Sequence, residues 1–151
     1  MSTDGNSYLI DLSPEDYNMA FTEIAFLMDA FASTIDNIMG GATAPVGRIA
    51  GRDTAKKLPV NIADPTLENV VALLSERMHA GFDFSLEQGN LTFRKCVIRD
   101  ICQLRQIETN GAICRLFHAY LDGIIDGLLS RPVKSEIVAT GEECLIKTVV
   151  Q

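Results

Sequence analysis

The sequence predicts an α+β fold: a single domain over residues 1–151 with three N-terminal helices, a β-hairpin, a helix and a second β-hairpin, the strands forming an antiparallel sheet packed against helices. Three observations carry this expectation. Apolar residues recur at helical spacing before Gly81 and again on the stretch around Phe117; the period drops to two after Gly81 and after Pro132; and turn-forming residues interrupt each alternating stretch. With 47% hydrophobic and 22% charged side chains, a chain of this length buries a core without disulfide help.

Ser13-Pro14-Glu15-Asp16 reads as a helix start, with an N-cap, a proline in the first turn and two acids at the positive end of the helix dipole. Phe21, Ile24, Leu27, Met28, Phe31, Ile35 and Ile38 follow at helical spacing, which makes this a long amphipathic helix ended by Gly40-Gly41. The twelve residues before it are expected to be partly flexible or extended. Pro45 restarts a second helix over residues 45–58, where Gly47, Ala50, Gly51, Thr54 and Ala55 leave one side small enough for another backbone to approach closely. Asp64-Pro65 opens a third helix with Leu67, Val70, Val71, Leu74 and Met78 inward. Phe82, Phe84 and Leu86 then alternate with polar residues, Gly89-Asn90 turns the chain, and residues 91–98 return as the second strand. Residues 99–109 show no dominant period. A fourth helix covers residues 110–129 with Ile113, Phe117, Leu121, Ile124 and Leu128 as its stripe, and a last hairpin joins residues 133–139 to 144–150 around Thr140-Gly141-Glu142-Glu143.

Thirteen basic against 20 acidic residues, a formal charge of −7, repel a phosphate backbone, so no nucleic acid partner is expected. The N-terminus lacks the basic start and apolar core of a signal peptide, and no apolar run is long enough for a membrane span, so the expected location is the cytoplasm. Hydrolase, nucleotide-loop, dinucleotide and zinc-protease motifs are missing, which disfavours an enzyme.

Two constellations remain. Cys114 and His118 share a helix face four residues apart, and with Cys96, Cys102 and Cys144 they are candidate ligands for zinc or an iron–sulfur cluster, or the thiols of a redox sensor. Against this, buried cysteines act as small hydrophobes, and His118 pairs equally well with Asp122 one turn on. Arg48, Arg52 and Lys56 form a cationic stripe, either an anchor for an acidic head group or a solvated face offset by Asp53.

Cys114, then Gly123-Ile124-Ile125-Asp126-Gly127, then Glu136-Ile137-Val138-Ala139-Thr140-Gly141, then Cys144 occur in an order that resembles the four-vinyl-reductase, or hydrocarbon-binding, domain family. Gly47-Arg48-Ile49-Ala50-Gly51-Arg52 resembles the glycine-rich second helix of the same family, and Ile137 stands where many members carry another cysteine. The resemblance implies a small-molecule-binding domain with an apolar cavity, often dimeric, related in fold to Golgi transport-complex subunits and haem-based nitric-oxide sensor domains. It also implies, at lower rank, a component of a tetrapyrrole vinyl reductase. The expected function is therefore binding or carriage of a hydrophobic small molecule by a homodimer. The pocket is expected between helices and sheet, with Phe21, Phe117 and Tyr120 as lining, Gly123 allowing close approach and Arg48 or Arg52 anchoring an acidic head.

Overall fold

A computed structural model describes residues 13–151, so the expectation for residues 1–12 lies outside the described residues. The elements are α1 (Pro14–Ile38), α2 (Ala44–Lys57), α3 (Leu67–Arg77), β1 (Phe82–Glu87), β2 (Asn90–Cys96), α4 (Val97–Arg105), α5 (Ala112–Leu129), β3 (Val133–Ala139) and β4 (Cys144–Val150). The α+β reading holds, with a four-stranded antiparallel sheet in the order β1-β2-β4-β3. Among the described residues no helix is long and apolar enough to cross a membrane.

Local chemistry explains most boundaries. At the start of α1 the Ser13 hydroxyl accepts from the Asp16 amide at 3.2 Å, and the Asp16 carboxylate accepts from the Ser13 amide at 3.0 Å, a reciprocal capping box. Thr66, rather than Asp64, caps α3 by accepting from the Asn69 amide. The first hairpin turns one residue earlier than expected: Gln88 and Gly89 take the left-handed conformations a two-residue turn requires, and Asn90 already belongs to β2.

The largest departure is α4, which occupies much of the stretch without a dominant period. It starts directly after Cys96, so β2 ends two residues sooner than expected, and it buries Ile98, Ile101 and Cys102 on one face. Its nine residues are too few to establish a period, and it ends at Gln106 in a left-handed conformation with neither glycine nor proline to mark the stop.

The layer between α5 and strands β1, β2 and β4 is filled. Phe84, Phe93, Leu91 and Ile146 from the sheet meet Leu121 and Ile125 from α5, all fully buried. Phe82 stacks on Phe117 and Phe84 on Phe93, each with ring centroids 4.8 Å apart.

Helix α2 lies against α5 through glycine. A Cβ on Gly47 would come within 2.7 Å of both the Ala119 Cβ and the Leu116 carbonyl oxygen, and one on Gly127 within 2.6 Å of the Ala55 Cβ. At Gly51 the added carbon would collide with the Tyr120 carbonyl, and at Gly123 with that of Arg48. The small residues on α2 thus serve backbone approach, as expected, but the approach leaves no gap.

Helix α1 turns its apolar stripe away from the body, so Phe21 does not line a pocket between helices and sheet. Ala25 and Ala32 are the residues it buries, while Asp29 pairs with Arg105 at 3.0 Å and Asp36 with Arg115 at 2.9 Å. Arg105 also lies 3.7 Å over the Phe26 ring. The apolar stripe points the other way: Tyr17, Phe21, Ile24, Leu27, Met28, Phe31 and Ile38 are exposed, Phe31 to 61% and Ile38 to 77%.

Because Gly51 faces backbone, Gly51→Ala is expected to lower stability by about 3 kcal/mol or more, as overpacking against an immovable carbonyl does. Ala50→Ser, one residue away on the exposed side of α2, should change it by less than about 0.5 kcal/mol. Urea denaturation of the two variants against the parent checks both values.

Candidate functional site

Four residues sit on the two helices that glycine brings together. Arg48 and Arg52 follow Gly47 and Gly51 on α2, and Asp122 and Asp126 precede Gly123 and Gly127 on α5. Because both pairs repeat every four residues, the charges meet wherever the glycines meet. Arg52 donates twice to Asp126, at 3.1 and 2.8 Å, and Arg48 lies 3.6 Å from Asp122 and 3.7 Å from Asp126. Arg48 also donates to the Val133 carbonyl at 2.7 Å, tying both helices to the first residue of β3. Ser135 on β3 donates to Asp122 and lies 3.3 Å from the Thr148 hydroxyl on β4.

This network forms the floor of a cleft of about 410 Å³ between the α1–α2 turn, α5 and β3. Thr43, Arg48, His118, Asp122 and Ser135 supply its polar wall, and Pro45, Ala119 and Ile137 its apolar one. That volume falls within the usual range for small-ligand sites. Burial lifts the Asp122 carboxyl from its usual 3.8 to about 6, against the opposing pull of the Ser135 hydrogen bond and the Arg48 charge. Burial takes the His118 imidazole down to about 4, so it is neutral at pH 7. Its ring stands edge-on to Phe93 and Phe117, 5.4 and 5.1 Å away. A second depression beside Arg99 and Gly141 is more open, and Arg99 there is committed to the carbonyls of Gly141, Glu142 and Arg94.

The residues expected to line one apolar pocket are dispersed. Phe21 is on the exposed face of α1, and Phe117 stacks on Phe82 at the edge of the core. Tyr120 hydrogen-bonds Thr54 at 3.0 Å, while Gly123 is closed off by the Arg48 backbone. Arg52 is bound to Asp126, and Arg48 alone reaches the cleft. Both arginines are paired with aspartates of α5, and Arg52, half exposed, is offset by Asp126 while Asp53 pairs with Lys57. His118 does not pair with Asp122 either, because that carboxylate is taken by Ser135 and Arg48.

All four cysteines are buried free thiols. Cys102 and Cys114 face each other between α4 and α5 with sulfurs 3.7 Å apart. Cys96 precedes α4, and Cys144, which opens β4, takes a 3.9 Å contact from Arg99. Among the described residues no three His, Cys, Asp or Glu side chains gather to hold a metal. Cys96, Cys102, Cys114, His118 and Cys144 therefore do not form the donor set that zinc or an iron–sulfur cluster needs. Burial, then the neighbouring Cys114, pushes the Cys102 thiol up to about 12, and burial raises that of Cys96 as well. Such thiols are poor nucleophiles at neutral pH.

What sequence reasoning missed is the acidic half of the network. The signal was present, since Asp122 and Asp126 repeat with the same interval as Arg48 and Arg52. No protein-family model matches this chain, and no curated protein matches it.

Two measurements follow from these environments. The folded state holds the Asp122 proton more tightly than the unfolded one, so the stability from this group is complete below about pH 4 and is lost as pH rises through about 6. Relative to Asp122→Asn, the parent should therefore lose about 3 kcal/mol between those limits, read from urea curves across the range. Iodoacetamide at pH 7.5 should leave Cys96 and Cys102 unlabelled in the native protein and label both in urea, as intact mass would show.

Proposed function

We propose that this chain is a binding module that works as a homodimer paired through α1, and that its hydrophobic small molecule is held in the seam between the paired helices. The carrying observation is the outward stripe of α1. Tyr17, Phe21, Ile24, Met28, Phe31, Ile35 and Ile38 are spaced four, three, four, three, four and three apart, the heptad rhythm of helices that pack side by side. Glu23, Asp29 and Asp36 fall between these positions, and the last two face the body in ion pairs with Arg105 and Arg115.

Area supports a second copy as the occupant. At about 200 Å² for a large side chain, the exposed fractions amount to roughly 800 Å² of apolar surface, the share one partner contributes to a standard stable interface. Ordinary monomers do not leave such a patch uncovered. A helix of the same rhythm is the natural complement, and the chain supplies one in every copy. The space between α5 and strands β1 and β2 is filled by Phe84, Phe93 and Leu121, and the cleft at β3 carries charged and polar groups, so the seam, with its exposed Tyr17, Phe21 and Phe31 rings, is the better place for an apolar guest.

Native mass spectrometry and analytical ultracentrifugation test this together. The parent should be a dimer at micromolar concentration and carry a non-covalent apolar mass, and Phe31→Glu should be a monomer without it. Phe31 lies outside the core, so that variant should keep the parent's far-ultraviolet circular dichroism and cooperative unfolding, with a thermal midpoint lowered only by the lost dimer and guest. A parent that sediments as a monomer would overturn the proposal.

A further inference from the structure

The cleft beside α2 is not used by the seam, and its chemistry is of another kind. Thr43 is only 2% exposed, yet its side chain makes no cap bond to α2 and has no hydrogen-bond partner among the described residues. No side-chain oxygen or nitrogen among the described residues is both sealed from solvent and unpartnered. The Thr43 hydroxyl therefore opens into the cleft it lines. The His118 ring lines the same cleft, stands edge-on to Phe93 and Phe117 and likewise has no hydrogen-bond partner among the described residues. Buried polar groups in this condition are completed by water or by a ligand.

The first turn of α2 adds direction. Among the described residues its amides at Ala44 and Val46 have no backbone acceptor, and Pro45 between them has no N–H. Free amides at the positive end of a 14-residue helix receive an oxyanion readily. Arg48, one turn further, also lines the cleft, its charge matched by Asp122 and Asp126.

We infer that this cleft binds a small molecule through a single carboxylate, which accepts from the Thr43 hydroxyl and the first-turn amides of α2 while an apolar body rests against Pro45, Ala119 and Ile137. The apolar wall of Pro45, Ala119 and Ile137 suits a carboxylate on an apolar body, and Arg48 and Arg115 balance Asp122 and Glu136 around the cleft, so one negative charge is not repelled there. The imidazole of His118, neutral at pH 7, adds no charge and offers one donor or one acceptor to a polar substituent on the body.

Titrating the uniformly ¹⁵N-labelled full chain with benzoate tests the inference. Saturable shifts are expected at the Ala44, Val46 and Ser135 amides, with a dissociation constant on the order of a millimolar. Thr43→Val should weaken binding about tenfold, the loss expected for one hydrogen bond to a charged group, while Thr43→Ser should bind like the parent. Phe31→Glu, on the other surface, should bind benzoate unchanged, so failure here and failure of the seam are separable. Absence of saturable shifts, shifts confined to α1, parent-like binding by Thr43→Val, or loss of binding in Thr43→Ser would each overturn the carboxylate site. Tighter binding of inorganic phosphate than of benzoate would overturn the choice of anion.

Discussion

Backbone-to-backbone contact between α2 and α5 is the constraint on which the rest of the molecule depends. Four glycines let the two helices close until carbonyls and α-carbons touch, leaving no room for even a methyl group. At that separation, two aspartates that would otherwise be costly to bury fall opposite two partly exposed arginines. Neither feature works alone. Without the glycines the charges stand too far apart to pair, and without the pairing the aspartates on a largely buried helix would be unmatched. The same arginine reaches the Val133 carbonyl and Asp122 holds Ser135, so the helix pair also sets the position of β3.

The fold was legible in the sequence wherever periodicity ran long enough to be counted. Helices α1, α2, α3 and α5 and both hairpins follow from apolar spacing and capping residues. Helix α4 did not, because nine residues between a strand and a non-glycine stop give too little rhythm to separate from a loop. The inward place expected for Phe21 failed for a different reason. An apolar stripe states that a face avoids water and is silent on whether the cover comes from the same chain. Here two alanines and two ion pairs face the body, and the aromatic side is left outward.

The candidate site was half legible. Arg48 and the glycines on both helices stood out, but the pattern was read on each helix separately, and Asp122 entered only as a partner for His118. Placed side by side, Gly47-Arg48 with Gly51-Arg52 and Asp122-Gly123 with Asp126-Gly127 form complementary repeats. The cysteines show the converse: residue types with strong chemical associations drew attention, and their surroundings turn out to be those of buried packing groups. Residue type proposes chemistry, and burial with partners decides it.

The strand order has a consequence for how the chain holds together. Each hairpin joins neighbours in sequence, but the sheet becomes one body only where Leu91 and its neighbours in β2 meet Ile146 and its neighbours in β4, across the intervening α4 and α5. A lone two-stranded ribbon is barely stable in water. Severing the chain anywhere between the hairpins would leave each fragment with an incomplete sheet, so the two ends of this fold are bound to order together or not at all.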